Sequence, residues 1–239
     1  MKGQVMATPK YKRILLKLSG EALAAGADGI LNHAFVDTVA SVLKKCKSQG
    51  AQIAIIVGAG NIWRGRQGVN MDQTTADHMG MLATSINALA LKDAFIRAGM
   101  DAEVLSSVNM PPFASIFTKR TAIEMLEKKI VIFAGGLGLP YFSTDTAAVH
   151  RAAEIEADMV LFAKNIDAIY TADPRLDPTA VKLDKISYAD MLAKGLKAMD
   201  STATAFAMEN NIPILCFGLA DPENIYRAVM GEKIGTLVK

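Results

Sequence analysis

The sequence is poor in cysteine and carries no excess of one charge. Its two cysteines, Cys46 and Cys216, lie far apart, with neither a CxxC spacing nor a histidine pair near them. This pattern argues against a disulfide framework or a zinc site and favours a reducing, cytoplasmic compartment. Lysine and arginine number 26 against 24 acidic residues, and only 6% of the residues are aromatic. No basic stripe with interleaved aromatics appears, so we do not expect nucleic-acid binding.

Long apolar runs are also missing. The longest, residues 130–142, is too rich in glycine and too short to span a bilayer, which needs about 20 apolar residues. The N-terminal sequence MKGQVMATPKYKR has no apolar run after its charges, so we expect neither a signal peptide nor a membrane span. Residues 1–10 are predicted to form a flexible tail. Residues 11–239 are predicted to form a single domain, because no repeat or low-complexity linker interrupts them.

Short apolar runs alternate with segments of helical periodicity through a chain that is 51% hydrophobic and 21% charged. Strands are predicted at residues 13–18, 52–57, 102–105, 130–133, 159–163, 212–217 and 235–238, with a short extended piece at 166–170. Helices are predicted at residues 35–46, 74–98, 118–128, 186–192, 200–209 and 224–230, and after 143–145. This alternation predicts an α/β fold with a largely parallel central sheet, whose ligands bind at the carboxyl ends of the strands.

Three of the predicted strands are followed by glycine. The three loops are Ser19-Gly20, residues 58–61 and residues 135–138. The third loop leads to Ser143 and Asp145, which are N-cap residues of a helix, so free N–H groups and a helix dipole favour a phosphate there. The alternative is a tight turn that binds nothing. None of the loops is a Walker loop, and none matches the full dinucleotide fingerprint.

Charged residues accompany these loops. Lys17 and Arg64 suit the oxygens of a triphosphate, although Lys17 could instead reach solvent from an edge strand. Asp145, Asp173 and Asp200 are acids that could hold a Mg²⁺–phosphate complex. No general base or nucleophile is evident, and transfer onto a phosphate needs none, because that acceptor is already ionised near neutral pH.

Several motifs carry a more specific resemblance. They are Lys17-Leu18-Ser19-Gly20-Glu21, Gly58-Ala59-Gly60-Asn61-Ile62-Trp63-Arg64-Gly65, Ala76-Asp77-His78-Met79-Gly80-Met81, Pro140-Tyr141-Phe142-Ser143-Thr144-Asp145, Thr171-Ala172-Asp173-Pro174 and Met230-Gly231-Glu232-Lys233. From about Tyr11 to the C-terminus, the chain resembles the bacterial uridylate kinase family of the amino-acid kinase superfamily. The blocks at 77–81 and 141–145 distinguish this family from aspartate, acetylglutamate and carbamate kinases.

The resemblance implies a three-layer α/β/α sandwich, the amino-acid kinase fold, that transfers the γ-phosphoryl group of Mg·ATP to UMP. The implied catalytic residues are Lys17, Arg64 and Asp200. The implied ATP site is Lys17, Leu18, Ser19, Gly20, Gly60, Arg64, Asn165, Tyr170 and Asp173. The implied UMP site is Ala59, Asp77, Leu137, Gly138, Leu139, Pro140, Tyr141, Phe142, Ser143 and Thr144. The N-terminal half would thus mainly bind UMP and the C-terminal half ATP, with Mg²⁺ near Asp145, Asp173 or Asp200.

The resemblance also implies a homohexamer activated by GTP and inhibited by UTP, with the helix at residues 74–98 as a candidate subunit contact. Ala59, Leu137 and Leu139 depart from the usual residues of the family and bear on UMP affinity. Asp77, implied to bind ribose hydroxyls, could instead only complement a helix dipole. Two other functions stay open: a superfamily kinase acting on a carboxylate or carbamate, and a non-catalytic nucleotide- or oxyanion-binding assembly.

Overall fold

A nine-stranded sheet forms the centre of the computed structural model, which describes residues 8–63, 70–196 and 198–239. Its strands, with two from a separate hairpin, are β1 (Arg13–Leu18), β2 (Gln52–Val57), β3 (Ala102–Ser106), β4 (Ser115–Ile116), β5 (Ile130–Ala134), β6 (Met159–Lys164), β7 (Ile169–Tyr170), β8 (Lys182–Leu183), β9 (Lys185–Ile186), β10 (Ile214–Gly218) and β11 (Thr236–Val238). The helices are α1 (Gly20–Ala24), α2 (His33–Ser48), α3 (Gln73–Arg97), α4 (Lys119–Leu126), α5 (Thr144–Glu154), α6 (Tyr188–Ala193), α7 (Ser201–Glu209) and α8 (Glu223–Met230).

The strand order of the sheet is β4-β3-β5-β2-β1-β6-β10-β11-β9. All neighbours from β4 to β10 pair in parallel, and β11 runs antiparallel to β10. After β1 the chain builds one side of the sheet with β2 to β5, and it then crosses to the other side of β1 with β6. Such a reversal opens a crevice at the carboxyl ends of the two central strands, where ligands of open α/β sheets bind.

Helices cover both faces of the sheet and make three layers. Leu16 and Leu18 of β1 point into a core that α2, α3 and α8 share, whereas Leu15 points into the core beneath α4, α5, α6 and α7. Because side chains alternate along a strand, Lys17 lies on the same face as Leu15. The predicted three-layer α/β/α architecture is confirmed.

Local differences from the sequence-based predictions follow from capping chemistry. The Ser19 side chain accepts a hydrogen bond from the Ala22 N–H, so the predicted break after β1 is the start of the short helix α1. Ser187 caps α6 in the same way, and this divides the helix predicted at residues 186–192 into β9 and α6. Only Ile169–Tyr170 of the predicted extended piece forms a strand.

The N-terminal tail and the helix lengths complete the architecture. The Lys10 N–H donates to the Val229 carbonyl at 3.2 Å, and residues 1–7 of the predicted tail lie outside the described residues. Within the described parts of the chain, no helix combines the length and apolar character that crossing a membrane requires.

Candidate active site

The first two glycine loops touch each other at the carboxyl edge of the sheet. A Cβ added at Gly20 would lie 2.4 Å from the Asn61 side-chain oxygen, 2.6 Å from the Gly58 carbonyl oxygen and 2.7 Å from the Gly60 nitrogen. Any larger residue at position 20 would therefore separate the loops. The three strand ends were expected to share one edge of the sheet, and this contact brings the first two together.

Asn87 of α3 holds the second loop in place through hydrogen bonds, a role that sequence reasoning missed. Its side chain on α3 is fully buried and donates to the Gly58 carbonyl at 2.8 Å. The amides of Asn87 and Asn61 also donate to each other's side-chain oxygens, at 2.8 and 2.9 Å. A polar residue within the apolar periodicity of residues 74–98 was the available signal, because a buried amide needs partners.

The third loop takes a backbone shape that requires glycine. The φ angles of Gly135, Gly136 and Gly138 are +74°, +57° and +76°, a region that side chains disfavour. The Gly135 N–H donates to the Thr84 hydroxyl at 2.9 Å. The loop leads to Ser143, whose hydroxyl accepts from two N–H groups in the first turn of α5. The chain thus presents a positive helix end beside the first two loops, as predicted.

Two lysines share one carboxylate where β1 and β6 end. The Lys17 ammonium lies 2.9 Å from Asp145 Oδ1, and the Lys164 ammonium lies 3.3 Å from Asp145 Oδ2. The side chains of Lys17 and Asp145 are only 11% and 15% exposed. Both ammonium groups also lie over the Phe162 ring, 6.0 and 5.1 Å from its centroid. Lys17 therefore faces the interior of the crevice, and the alternative of an edge-strand lysine is wrong.

The charge state of this cluster follows from its surroundings. Burial by itself raises the pKa of Asp145, but the charges of Lys17 and Lys164 outweigh it and hold the pKa below its ordinary value. Asp145 is accordingly ionised at neutral pH and neutralises one of two positive charges. The remaining positive charge suits a phosphate that enters the crevice.

Asp200 joins two helix N-termini at the same place. It is the N-cap of α7, and its carboxylate accepts from the Ala203 N–H at 2.8 Å. It also accepts from the hydroxyl of Thr146 at 3.1 Å and from the hydroxyl of Ser143, both on the α5 side. The positive ends of α5 and α7 thus meet across one carboxylate.

Three cavities line up along this edge of the sheet. The first, which we call the glycine-loop cavity, has about 420 Å³ and includes Asp77, Ser143 and Thr144. Its other lining residues are Glu21, Ala59, Gly60, Trp63, Ala76, Gly80, Met81, Thr84, Gly136, Leu137, Leu139 and Phe142. Most of the residues implied for UMP line it together.

The other two cavities are lined mainly by residues that follow β6 in the chain. The Asp200 cavity, about 530 Å³, includes Asp145, Lys164 and Asp200. The Tyr170 cavity, about 550 Å³, includes Tyr170 and Asp173 and shares Gly195, Leu196 and Ala198 with the Asp200 cavity. Asp145 and Lys164 thus line the Asp200 cavity, while Ser143 and Thr144, directly before Asp145, line the glycine-loop cavity, so the lysine–aspartate cluster adjoins both.

Asp77 connects α3 to the loop that closes the first cavity. Its carboxylate accepts from the Tyr141 N–H at 2.8 Å and from the Gln73 side chain at 2.9 Å. Tyr141 has a φ of +67°, so this hydrogen bond holds an unusual backbone conformation. Asp77 is more than a complement to the helix dipole.

Several predicted site residues within the described part of the chain do not line any of the three cavities. The Leu18 side chain is fully buried in the core, so only its backbone faces the crevice. Gly138 packs against Ser107, and the Tyr141 side chain is 74% exposed. Pro140 lies in the same loop. Arg64 lies outside the described residues.

At the end of β6, Lys164 joins the site through its contact with Asp145. Asn165 is exposed directly after the strand, whereas Lys164 lies two residues beyond Phe162 and shares its face. The period of two along β6 was the signal that could have identified Lys164. Near the Tyr170 cavity, Asp173 pairs with Arg175 at 2.8 Å.

Cavity size alone does not identify this site. A larger cavity, about 720 Å³, lies at the opposite ends of β1, β6 and β10 and is lined by Tyr11, Tyr188 and Lys239 among others. The N-terminus of α6 lines it, but among the described residues it contains none of the glycine loops and none of the lysine–carboxylate contacts.

The parallel sheet, its glycine loops and the lysine cluster define a phosphate-handling α/β protein. The sequence profile of the Amino acid kinase family matches residues 12–218, and the chain belongs to this family. The enzymes it resembles within the family are identified by solved structures.

The UMP kinase from Bacillus anthracis is 32% identical, with 96% of each chain covered and a TM-score of 0.93. The UMP kinase from Ureaplasma parvum is 35% identical over 95% of this chain and 98% of that one, with a TM-score of 0.89. The uridylate kinase from Archaeoglobus fulgidus is 26% identical over 95% and 99%, with a TM-score of 0.74. The resemblance inferred from the sequence motifs is confirmed.

Proposed function

We propose that this chain is a UMP kinase, which transfers the γ-phosphoryl group of ATP to UMP and releases UDP and ADP. The observation that carries the proposal is the cluster of Lys17, Asp145 and Lys164, which borders the Asp200 cavity and directly adjoins the glycine-loop cavity through Ser143 and Thr144. A cation pair that adjoins two nucleotide-sized cavities suits a group that passes from one to the other. The similarity to the UMP kinases supports UMP as the acceptor.

Lys17 and Lys164 act by stabilising charge. In phosphoryl transfer the negative charge spreads over the oxygens of the transferring group, and fixed cations stabilise that state. Asp145 keeps both ammonium groups in place before the nucleotides bind. Arg64 is proposed as a further catalytic cation from its sequence motif alone. No residue is needed to deprotonate UMP, because its phosphate is already ionised.

The two nucleotides are assigned to different cavities. We assign UMP to the glycine-loop cavity, where Asp77 and the loop at residues 135–144 meet. ATP is assigned to the Asp200 and Tyr170 cavities, with the loop at residues 17–20 near its phosphates and with Gly60, which lines the glycine-loop cavity, facing those phosphates from the UMP side. This assignment agrees with a mainly UMP-binding N-terminal half and a mainly ATP-binding C-terminal half of one domain.

Mg²⁺ is proposed to accompany ATP, and the acidic side chains fit such an ion. Mg²⁺ usually binds one or two carboxylates together with substrate phosphates and water. Asp200 is suited to this because its neighbours Ser143 and Thr146 are neutral hydroxyls, whereas Asp145 is already neutralised by lysines. When bound, the ion supplies additional positive charge to the phosphates.

Regulation and assembly are further parts of the proposal. We propose GTP as an activator, UTP as an inhibitor and a homohexamer as the assembly, from the family resemblance. An apolar stripe on α3 supports a subunit contact: Leu82, Ile86, Leu89 and Ile96 are 56%, 47%, 38% and 53% exposed and lie on one face. Cysteine usage supports a cytoplasmic location.

A coupled assay of ADP release tests the reaction. Mg·ATP would be offered with UMP, CMP, dUMP, aspartate and carbamate in separate reactions. We expect turnover with UMP far above that with aspartate or carbamate, and chromatography should identify UDP as the product. Turnover only with a carboxylate or carbamate would contradict the assignment, as would ATP binding without transfer to any acceptor.

A further inference from the structure

Arg151 is an unusually placed cation outside the cluster described above. It lies on α5 and is only 6% exposed, although arginine is rarely buried without close partners. Its guanidinium carbon lies 4.0 Å from the centroid of the Phe117 ring, and it forms an ion pair with Glu154. Its Nη2 donates to the Ser107 hydroxyl at 2.9 Å. The buried Nε has no hydrogen-bond partner among the described residues.

Ser107 connects Arg151 to the third glycine loop. Its hydroxyl donates to the Gly136 carbonyl at 2.6 Å. A hydroxyl has one hydrogen to donate, so a bond accepted from Arg151 leaves that hydrogen directed at Gly136. The loop also packs tightly here, because a Cβ added at Gly138 would lie 3.0 Å from the Ser107 carbonyl oxygen. Arg151 thus reaches the loop through one intervening side chain.

We propose that Arg151 and Ser107 are positioning residues that hold the loop at residues 135–138 in the shape that binds the acceptor nucleotide. The identity of that acceptor, UMP, rests on the proposed function. Neither residue is among those that line the glycine-loop cavity, but Gly136 and Leu137 are. A shift of this loop would misplace the acceptor while the Asp200 and Tyr170 cavities keep their walls.

The energetics favour a positioning role over a purely stabilising one. A buried ion pair is often no more stabilising than apolar residues of the same volume, and one donor of Arg151 finds no acceptor in the part of the chain that the structure describes. An apolar residue could fill the space beside Phe117, but it could not orient the Ser107 hydroxyl. Arg151 therefore fixes the direction of the hydrogen bond from the Ser107 hydroxyl to the Gly136 carbonyl.

Steady-state kinetics of Ser107→Ala and Arg151→Met test the proposal. We expect each variant to raise KM for UMP about tenfold, with KM for ATP and kcat at saturating UMP changed by less than about threefold. Since both residues act through one contact, the double variant should raise KM for UMP no further than the larger single effect. Ser107→Ala carries the test if Arg151→Met fails to fold.

Arg13→Met is the matched control. Arg13 also uses its guanidinium in fixed hydrogen bonds, to Gln52 at 2.7 Å and to the Ile155 carbonyl at 2.6 Å, but at the opposite end of the sheet. Arg13→Met should lower Tm without changing KM for UMP. The positioning role of Arg151 and Ser107 would be refuted if Ser107→Ala and Arg151→Met also lowered Tm without changing KM for UMP. It would be refuted as well if they raised KM for UMP and KM for ATP equally.

Two readouts separate this proposal from the proposed function. Trp63, the single tryptophan, lines the glycine-loop cavity, so its fluorescence can report the Kd for UMP without turnover. Amide hydrogen exchange at residues 135–138 should accelerate in both variants and stay unchanged in Arg13→Met. If the wild-type protein failed to phosphorylate UMP, the proposed function would be wrong. Unchanged amide exchange at residues 135–138 in Ser107→Ala would by itself refute the positioning role of Ser107 and Arg151.

Discussion

At the scale of single residues, the chemistry depends on the Asp145 carboxylate, whose two oxygens pair with Lys17 and Lys164. The three side chains come from β1, α5 and β6, and the contact forms only when the two strands pair. Sequence reasoning identified Lys17 and Asp145 separately, from a charged residue in an apolar strand and an acid after a cap. It could not predict their contact, because that depends on which strands become neighbours.

Asp145→Asn should lower stability in a pH-dependent way. Removing the carboxylate leaves two poorly exposed lysines without their partner, which we expect to cost about 3 kcal/mol at pH 7. Because the pKa of Asp145 is lower in the folded chain, its contribution is present above the unfolded pKa and is lost as pH falls through the folded value. The difference between the two proteins in urea unfolding should shrink below about pH 4.

The exposed pair between Arg120 and Glu124 provides the control for Asp145. Its side chains are 89% and 63% exposed, so solvent screens their attraction. Glu124→Gln should leave the urea midpoint unchanged at every pH above 5. An equal loss of stability in Glu124→Gln and Asp145→Asn would show that burial of the lysine cluster does not matter.

The two thiols should be unreactive in the folded protein. Both are free and buried, and burial raises the pKa of Cys46 to about 12 and that of Cys216 to about 12. Thiolates are the reactive form, so a disulfide reagent at pH 8 should titrate neither cysteine until denaturant is added. Fast labelling of either thiol without denaturant would contradict the burial described for α2 and β10.

At the scale of elements, the site depends on loops that approach without side chains between them. Gly20→Ala would place a Cβ 2.6 Å from the Gly58 carbonyl oxygen, and overpacking of this kind typically costs about 2 kcal/mol. We expect a lower Tm and a kcat/KM for ATP reduced by at least about tenfold, because both loops would shift.

Gly29→Ala is the matched control for Gly20→Ala. No atom of the described residues lies within 4 Å of a Cβ added at Gly29, so the substitution should leave kcat/KM and Tm close to those of the wild-type protein. Wild-type kinetics in Gly20→Ala would contradict the close contact between the two loops.

Elements also differ in how well their sequence predicts them. The bounds predicted for β1 and β2 agree with the structure, since β2 is an apolar, mostly β-branched run that glycine ends and β1 is a leucine-rich run that serine ends. The helix at residues 186–192 was only partly correct, because Ser187 has to cap α6 and the preceding residues pair with β11. Short strands such as β4 depend on a neighbour and carry little pattern of their own.

At the scale of the whole molecule, alternation of strands and helices was enough to predict a parallel α/β sheet. The order of strands was not predictable, because β5 lies between β2 and β3 and β11 reverses direction. That order decides the site, since it makes β1 and β6 neighbours. Lys164 was missed for this reason: its face on β6 has meaning only once Lys17 is known to lie beside it.

Self-association through α3 can be tested with one apolar position. Ile86→Asp places a charge in the middle of the exposed stripe of Leu82, Leu89 and Ile96, which should weaken any contact between copies by desolvation. Sedimentation velocity should show smaller species than for the wild-type protein. Leu176→Asp, at a leucine that is 84% exposed in another region, should leave the assembly unchanged. The same sedimentation profile for all three proteins would exclude α3 as the contact.

Transfer of a labelled γ-phosphoryl group from ATP to UMP, measured for the wild-type protein and for Lys17→Ala, tests the central claim most directly. We predict labelled UDP from the wild-type protein and a rate at least about 10³-fold lower for Lys17→Ala. The Trp63 fluorescence titration with UMP should be nearly the same for both proteins, because Lys17 stabilises the transferring group rather than the acceptor. Wild-type turnover in Lys17→Ala would contradict the assignment of the active centre, and so would a wild-type protein that labels no UDP.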